Sequence, residues 1–203
     1  MRIPIIVEGR TEQAFMPALR GFLSQQLSGR MPNLDPLPYH GRIPTGEKLK
    51  RVVESLLEDR KSPVEAVIAL TDVYTGSNEF VDAADARDKM SQWVGLNPKF
   101  YPHAAQYDFE AWLLPYWSTI QRLADHNRTA PRGLPESVNH NNPPAHRIKE
   151  VFEIGKCKYS YMKPRDGAKI LRENNLMVAV QICPELKAFV NTILSVAGGD
   201  LIR

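Results

Sequence analysis

The sequence predicts an α/β fold: a mainly parallel sheet flanked by helices, with a helical C-terminal part. Three observations lead there. Two short β-branched runs, Ile3–Val7 and Val64–Leu70, are apolar at nearly every position, as strands covered on both faces are. Segments with apolar residues at helical spacing lie between and after them, and that alternation builds βαβ units. The 203 residues are 43% hydrophobic and 24% charged, the composition of a globular chain able to bury a core without staples. The formal charge, 26 − 23 = +3, is too even to announce a nucleic-acid binder by itself. Cys157 and Cys183 form no CxxC pair and no disulfide framework, which makes the cytosol the default compartment. No run approaches the roughly 18 apolar residues of a spanning helix, and no signal-peptide pattern opens the chain, so no membrane is expected.

Taken in order, Ile3–Val7 reads as a buried strand with Pro4 near its start, where a missing N–H is tolerated. Thr11 is the candidate N-cap of a helix whose apolar face is Phe15, Leu19, Phe22, Leu23 and Leu27, bent at Pro17. A Gly- and Pro-rich connection over 28–44 leaves room for a short strand at Leu37–His40. Thr45–Asp59 is a second amphipathic helix. The strand Val64–Leu70 runs into Thr71-Asp72 and the turn Thr75-Gly76-Ser77-Asn78. A helix over Val81–Val94, a strand over Lys99–His103 and a helix over Phe109–Leu123, interrupted by Pro115, follow. Residues 125–147 shift to Asn, His, Pro and Arg without apolar period and read as a surface loop or mobile insertion. Helices are expected at Asp166–Arg172, Leu176–Ile182 and Pro184–Val196. The expected organisation is a core over 1–124, the polar segment 125–147, and a helical part over 148–203 packed on the same domain.

In open α/β sheets ligands gather beyond the carboxyl ends of the strands. Glu8 follows the first strand and Asp72 the second, so both point toward one crevice. Two carboxylates there raise each other's pKa unless a cation neutralises them, and an all-oxygen donor set suits Mg²⁺ or Mn²⁺. The bland reading makes both of them strand-ending turn or cap residues bonded to backbone N–H groups. Glu12, four residues after Glu8, either approaches that crevice or complements a helix N-terminus. His126, His140 and His146 match no zinc spacing and read as solvated. Arg128, Arg132, His140, Arg147 and Lys149 make the polar segment basic, fit to touch phosphates. No GxxxxGK[ST] loop, no GxSxG elbow and no Cys–His pair occurs.

The segment Val7-Glu8-Gly9-Arg10-Thr11-Glu12 resembles the VEGxTE opening of Toprim-like domains, the fold of topoisomerases, primases and OLD-family nucleases. Together with Thr71-Asp72-Val73-Tyr74-Thr75-Gly76, Tyr107-Asp108-Phe109-Glu110-Ala111-Trp112-Leu113, the stretch Tyr161–Gly167 and Cys183-Pro184, it resembles a bacterial Toprim-like family of unknown function often encoded beside ABC-type ATPases. The resemblance implies that Glu8 and Asp72 are metal ligands. The second aspartate of the Toprim D-x-D is replaced by Tyr74, and Glu110, with Asp108 beside it, is the candidate substitute. Lys163 is the candidate for stabilising the transition-state phosphate, with a solvated lysine as the bland alternative. Glu110 is otherwise a surface acid on a helix whose Phe109, Trp112 and Leu113 are core.

Two functions are therefore open. One is a Mg²⁺- or Mn²⁺-dependent nuclease whose catalytic set is Glu8, Asp72, Glu110 and Lys163, acting on nucleic acid with an ABC-type ATPase partner in anti-phage defence. The other is a degenerate Toprim-like subunit of an ATPase complex that binds its partner or nucleic acid but cleaves nothing, for which Tyr74 is the best support.

Overall fold

The computed structural model describes residues 1–74, 78–139, 141–157 and 159–203. Four parallel strands, β1 Arg2–Val7, β2 Asn33–Pro38, β3 Val67–Asp72 and β4 Phe100–Ala105, form one sheet in the order β2-β1-β3-β4. The two apolar runs are neighbours, with Ile5, Ile6 and Val7 opposite Ile68, Ala69 and Leu70. Their lack of alternation follows from burial on both faces. Ile5, Val7, Ile68 and Leu70 enter one core cluster, while Ile6, Val67 and Ala69 enter the other. Prolines mark where pairing is dispensable: Pro36 and Pro38 lie in edge strand β2 and Pro102 in edge strand β4. Pro4 is in a central strand, yet the β1–β3 ladder begins only at Ile5.

The helices are α1 Arg10–Gln26, α2 Glu47–Glu58, α3 Ala83–Val94, α4 Trp117–Ala124, α5 Pro144–Ile154, α6 Lys163–Arg172, α7 Leu176–Ile182 and α8 Pro184–Val196. Residues Phe109–Tyr116 form a 3₁₀ helix leading into α4. Helices α2 and α3 cover one face of the sheet with Leu49, Val53, Ala86 and Met90. The other face carries α1 and the helices of the second half, through Phe15, Leu19, Trp112, Val180, Phe189 and Ile193.

Several boundaries differ from the sequence reading. Gly9, not Thr11, is the N-cap of α1, and the helix continues through the exposed Pro17. Gly46, in the left-handed region at φ +57, caps α2. Strand β3 starts at Val67 and extends through Asp72, because Thr71 and Asp72 pair with Ala104 and Ala105 of β4. Thr75, Gly76 and Ser77 of the anticipated turn lie outside the described residues, as does His140. The 125–147 segment is not all surface: Val138 sits in the core, Pro135–Ser137 forms a 3₁₀ turn and α5 begins at Pro144. Gly155 closes α5 against α4, where a Cβ would lie 1.9 Å from the Ala124 carbonyl oxygen.

Among the described residues no single helix is long and apolar enough to cross a membrane. The bent pair α7–α8 has the composition of a span, but most of its apolar residues, among them Leu176, Val180, Leu186, Phe189, Ile193 and Leu194, are core.

Candidate active site

The carboxyl ends of β1 and β3 open into a cleft of about 420 Å³ whose walls include Glu8, Glu12, His40, Asp72, Phe109 and Lys163. Glu8 is the first residue past β1. Its Oε1 accepts the Asp72 N–H at 2.9 Å and the Thr71 hydroxyl, so the carboxylate ties β1 to the end of β3. The turn-forming and the cleft-lining readings of Glu8 thus describe one and the same side chain. Glu12 is likewise both: its Oε2 accepts the Gly9 N–H at 2.9 Å at the start of α1, and the residue lines the cleft.

The segment after β4 brings in two more acids. Glu110 is fully buried; its Oε2 accepts from Lys163 Nζ at 2.8 Å and its Oε1 from the Tyr161 hydroxyl at 3.3 Å. It is therefore no surface acid, while Phe109, Trp112 and Leu113 are core. Asp108 is also buried. Its Oδ2 accepts the Ala145 N–H at 3.1 Å, at the start of α5, whereas its Oδ1 has no hydrogen-bond partner among the described residues. Lys163, the first residue of α6, combines both readings: its Nζ donates to Glu110 at the cleft, while its side chain stays 44% exposed.

Withdrawal from water and mutual repulsion move the carboxyl groups together. Burial pushes Glu8 up to about 7, against the pull of the Thr71 and Asp72 donors and with a further push from Glu12. Burial raises Asp72 well above the ordinary carboxylate range, and Glu8, Glu12 and Asp108 add to it. Asp108 is raised to about 7 by burial and then by Glu110, and Glu12 rises for the same two reasons. Burial works against the charge on Lys163, but Glu110, Asp108 and Asp72 outweigh it and hold the ammonium above its usual value. The cleft is an acidic cluster built around the half-buried Lys163 ammonium, a state that costs free energy until more positive charge arrives.

Residues 7–194 match the family described as "Domain of unknown function (DUF4276)". The chain belongs to that family. No curated protein sequence matches it. The DUF4276 fold here is similar to the C-terminal region of the Burkholderia pseudomallei OLD protein, with a TM-score of 0.52 and 12% identity over 96% of this chain and 98% of that one. The C-terminal region of the Xanthomonas campestris pv. campestris OLD protein aligns at a TM-score of 0.47 and 15% identity, over 96% and 93%. The first likeness shows a shared fold: the four-stranded parallel sheet with its flanking and C-terminal helices, the Toprim-like architecture expected from the sequence motifs.

Of the residues named from the DUF4276 chain's sequence, Glu8, Asp72 and Lys163 line the cleft, and Glu110 joins them through its contact with Lys163. Sequence reasoning gave too little weight to two others. Asp108 stands two residues before Glu110 in the same motif, and Glu12 one helical turn after Glu8; both spacings were visible. His40 at the cleft wall carried no signal beyond its polar type. The donor chemistry fits a hard divalent cation, since every acid here offers oxygen and Asp108 Oδ1 has no partner among the described residues. The grouping is not closed around one. Among the described residues no three His, Cys, Asp or Glu side chains are gathered to hold a metal ion. The oxygens of Glu110 face Lys163 and Tyr161 instead. Tyr74, at the D-x-D position, accepts the Asn139 amide at 2.6 Å and lies with its ring 5.4 Å from that of Tyr107. Tyr107 itself adopts φ +70, a backbone state that costs a non-glycine residue of order 1–3 kcal/mol and gathers at functional sites.

Proposed function

We propose that the chain is a divalent-cation-dependent nuclease, cytoplasmic, working with an ABC-type ATPase partner in anti-phage defence. The observation that carries this reading is the crowding of Glu8, Glu12, Asp72, Asp108 and Glu110 around Lys163 at the carboxyl edge of the sheet. Acids kept at this proximity, with one oxygen that meets no donor among the described residues, are understandable as a receptacle for positive charge. Glu8, Asp72 and Glu110 are the residues that would hold Mg²⁺ or Mn²⁺, with Asp108 Oδ1 as an additional acceptor. The cation supplies Lewis-acid polarisation of a phosphate and acidification of water. The chain's own residues do the rest. The Thr71 hydroxyl and Asp72 N–H fix the Glu8 carboxylate, Glu110 orients the Lys163 side chain and is itself held by Tyr161, and Lys163 presents its ammonium to an anion in the cleft.

Support for the partner comes from the resemblance of the sequence motifs to a family often encoded beside ABC-type ATPases. The cytoplasmic assignment rests on the two free cysteines. Two observations favour the non-catalytic alternative: Tyr74 stands in place of an acid, and no ready-made ligand group exists among the described residues. The deciding experiment is cleavage of labelled DNA and RNA with Mg²⁺, Mn²⁺ or chelator, with and without the ATPase, beside calorimetric titration of the metal. Cation-dependent cleavage supports the nuclease. Absence of both divalent binding and cleavage at millimolar metal leaves the binding subunit.

A further inference from the structure

The basic character of the 125–147 segment is gathered in one place. Arg128, Arg132 and Arg147 surround a pocket of about 260 Å³ floored by Trp117, with Thr129 and Pro131 completing the wall. The pocket is built rather than incidental. The Trp117 indole N–H and the Gln121 amide both donate to the Arg128 carbonyl, at 2.7 and 2.8 Å, which pins the loop to α4. Glu150 on α5 stands 3.2 Å from the Arg128 guanidinium and 3.8 Å from that of Arg147, and it also faces His146 at 3.4 Å. One carboxylate shared among these groups leaves the pocket positive. Arg132 takes part in no ion pair among the described residues, and Arg147 Nε is buried with no acceptor among them. A buried donor without an acceptor is unfavourable until an anion supplies one. The planar guanidinium fork matches phosphate oxygens in particular.

We infer that this arginine pocket is a phosphate subsite for a nucleic-acid strand whose scissile phosphate lies in the acidic cleft. The inference rests on the nuclease reading for the second half of that statement. Helix α5 touches both places: its Ala145 N–H binds Asp108 Oδ2, and Arg147 lies on the same helix. The acidic cleft repels a polyanion, and a cationic subsite on the helix that binds Asp108 supplies the grip.

The test is fluorescence anisotropy of labelled 20-nucleotide DNA and RNA in EDTA, where nothing is cleaved, over a salt series. The variants are Arg132→Gln, the double variant Arg128→Gln/Arg132→Gln, and Lys61→Gln, an exposed lysine at the amino end of the sheet, as a charge control. The double variant is expected to bind single strands at least tenfold more weakly, with the log–log salt slope smaller by about 1.4 for two lost phosphate contacts. Arg132→Gln alone should show about half that slope change, and Lys61→Gln much less. Wild-type affinity and slope in the double variant overturn the inference, and so does an equal loss in Lys61→Gln. Cleavage by the wild type that Glu8→Gln abolishes, beside unchanged binding by the arginine variants, sinks the subsite and keeps the nuclease. Weakened binding by the arginine variants in a protein that cleaves nothing keeps the subsite and sinks the nuclease.

Discussion

Glu136 accepts the Trp112 indole N–H at 2.8 Å and the Glu185 and Leu186 N–H groups at 3.1 and 3.4 Å. Asp108, also withdrawn from water, accepts the Ala145 N–H on Oδ2, while its Oδ1 has no partner among the described residues and Glu110 pushes its pKa up further. Both carboxyls are raised by burial, but their surroundings differ. The backbone donors around Glu136 are the free N–H groups of a helix start, so that acid completes α8 and fastens the 125–147 segment to the core. The donors around Glu8 and Asp108 are outweighed by burial and neighbouring acids, and the same two causes outweigh the pull of Lys163 on Asp72. A buried acid is structural when the fold supplies its donors, and it becomes a site when the fold supplies competitors.

The largest effect is expected in the cleft itself. Glu8→Gln keeps an oxygen for the Thr71 and Asp72 donors, and Asp72→Asn keeps the shape of the strand end. Each should lower cation-dependent cleavage by more than about 100-fold, exceeding the loss usual for residues that only support a ligand. Neither should destabilise the metal-free protein, because each removes like-charge repulsion. Wild-type cleavage by either variant, on material shown to be folded, would remove the cleft from the chemistry. Glu136→Ala should do the reverse. Loss of hydrogen bonds to a charged group should lower unfolding free energy by about 2 kcal/mol in denaturant titration. Its divalent affinity should stay at the wild-type value.

A pH series separates the two sites by sign. Glu8 and Asp108 titrate near 7 in the folded chain and near ordinary carboxylate values when unfolded, so the folded state binds more protons in between. Stability from these groups is full below the unfolded value and is lost as pH rises through about 7. His103, lowered to about 4 by burial and then by Arg87, acts oppositely, but only below its unfolded value of 6.5. Between pH 6.5 and 8.5 the metal-free protein should therefore melt at progressively lower temperature. Glu8→Gln should flatten that fall. Scanning calorimetry at fixed ionic strength measures it, and a melting temperature that rises over this interval contradicts the crowded cleft.

Much of this arrangement was legible because strands end where ligands gather. Glu8 and Asp72 follow continuous apolar runs, and the runs could only be central strands. Glu110 was harder, because a carboxylate amid Phe109, Trp112 and Leu113 is equally consistent with a helix displaying one polar face. Only the arrival of Lys163 from α6, 53 residues on, explains its full burial. Glu136 and Val138 were hidden for a related reason. They are isolated in a segment rich in Pro, Asn and Arg, and their partners Trp112 and α8 lie far away in sequence. Periodicity reports a face of an element, not a single residue that fills a gap between elements.

Tyr74 gives the finest test, because it sits where the fold could have carried one more acid. Its side chain is 44% exposed, so replacing it should change stability by less than about 1 kcal/mol even without the hydrogen bond from Asn139. Tyr74→Asp places a carboxylate two residues beyond Asp72 and adds an oxygen donor without displacing Lys163 from Glu110. Another acid beside acids increases the demand for a cation. Divalent affinity should rise about 3- to 10-fold, equivalent to roughly 0.7–1.4 kcal/mol, and the metal-free protein should melt slightly lower at pH 8 than the wild type. Calorimetric titration with Mg²⁺ and Mn²⁺ reads the first and a thermal scan the second. Weaker metal binding in a folded Tyr74→Asp variant would mean that the tyrosine pair of Tyr74 and Tyr107 shapes the cleft actively. The missing aspartate would then be a replacement with its own role rather than a loss.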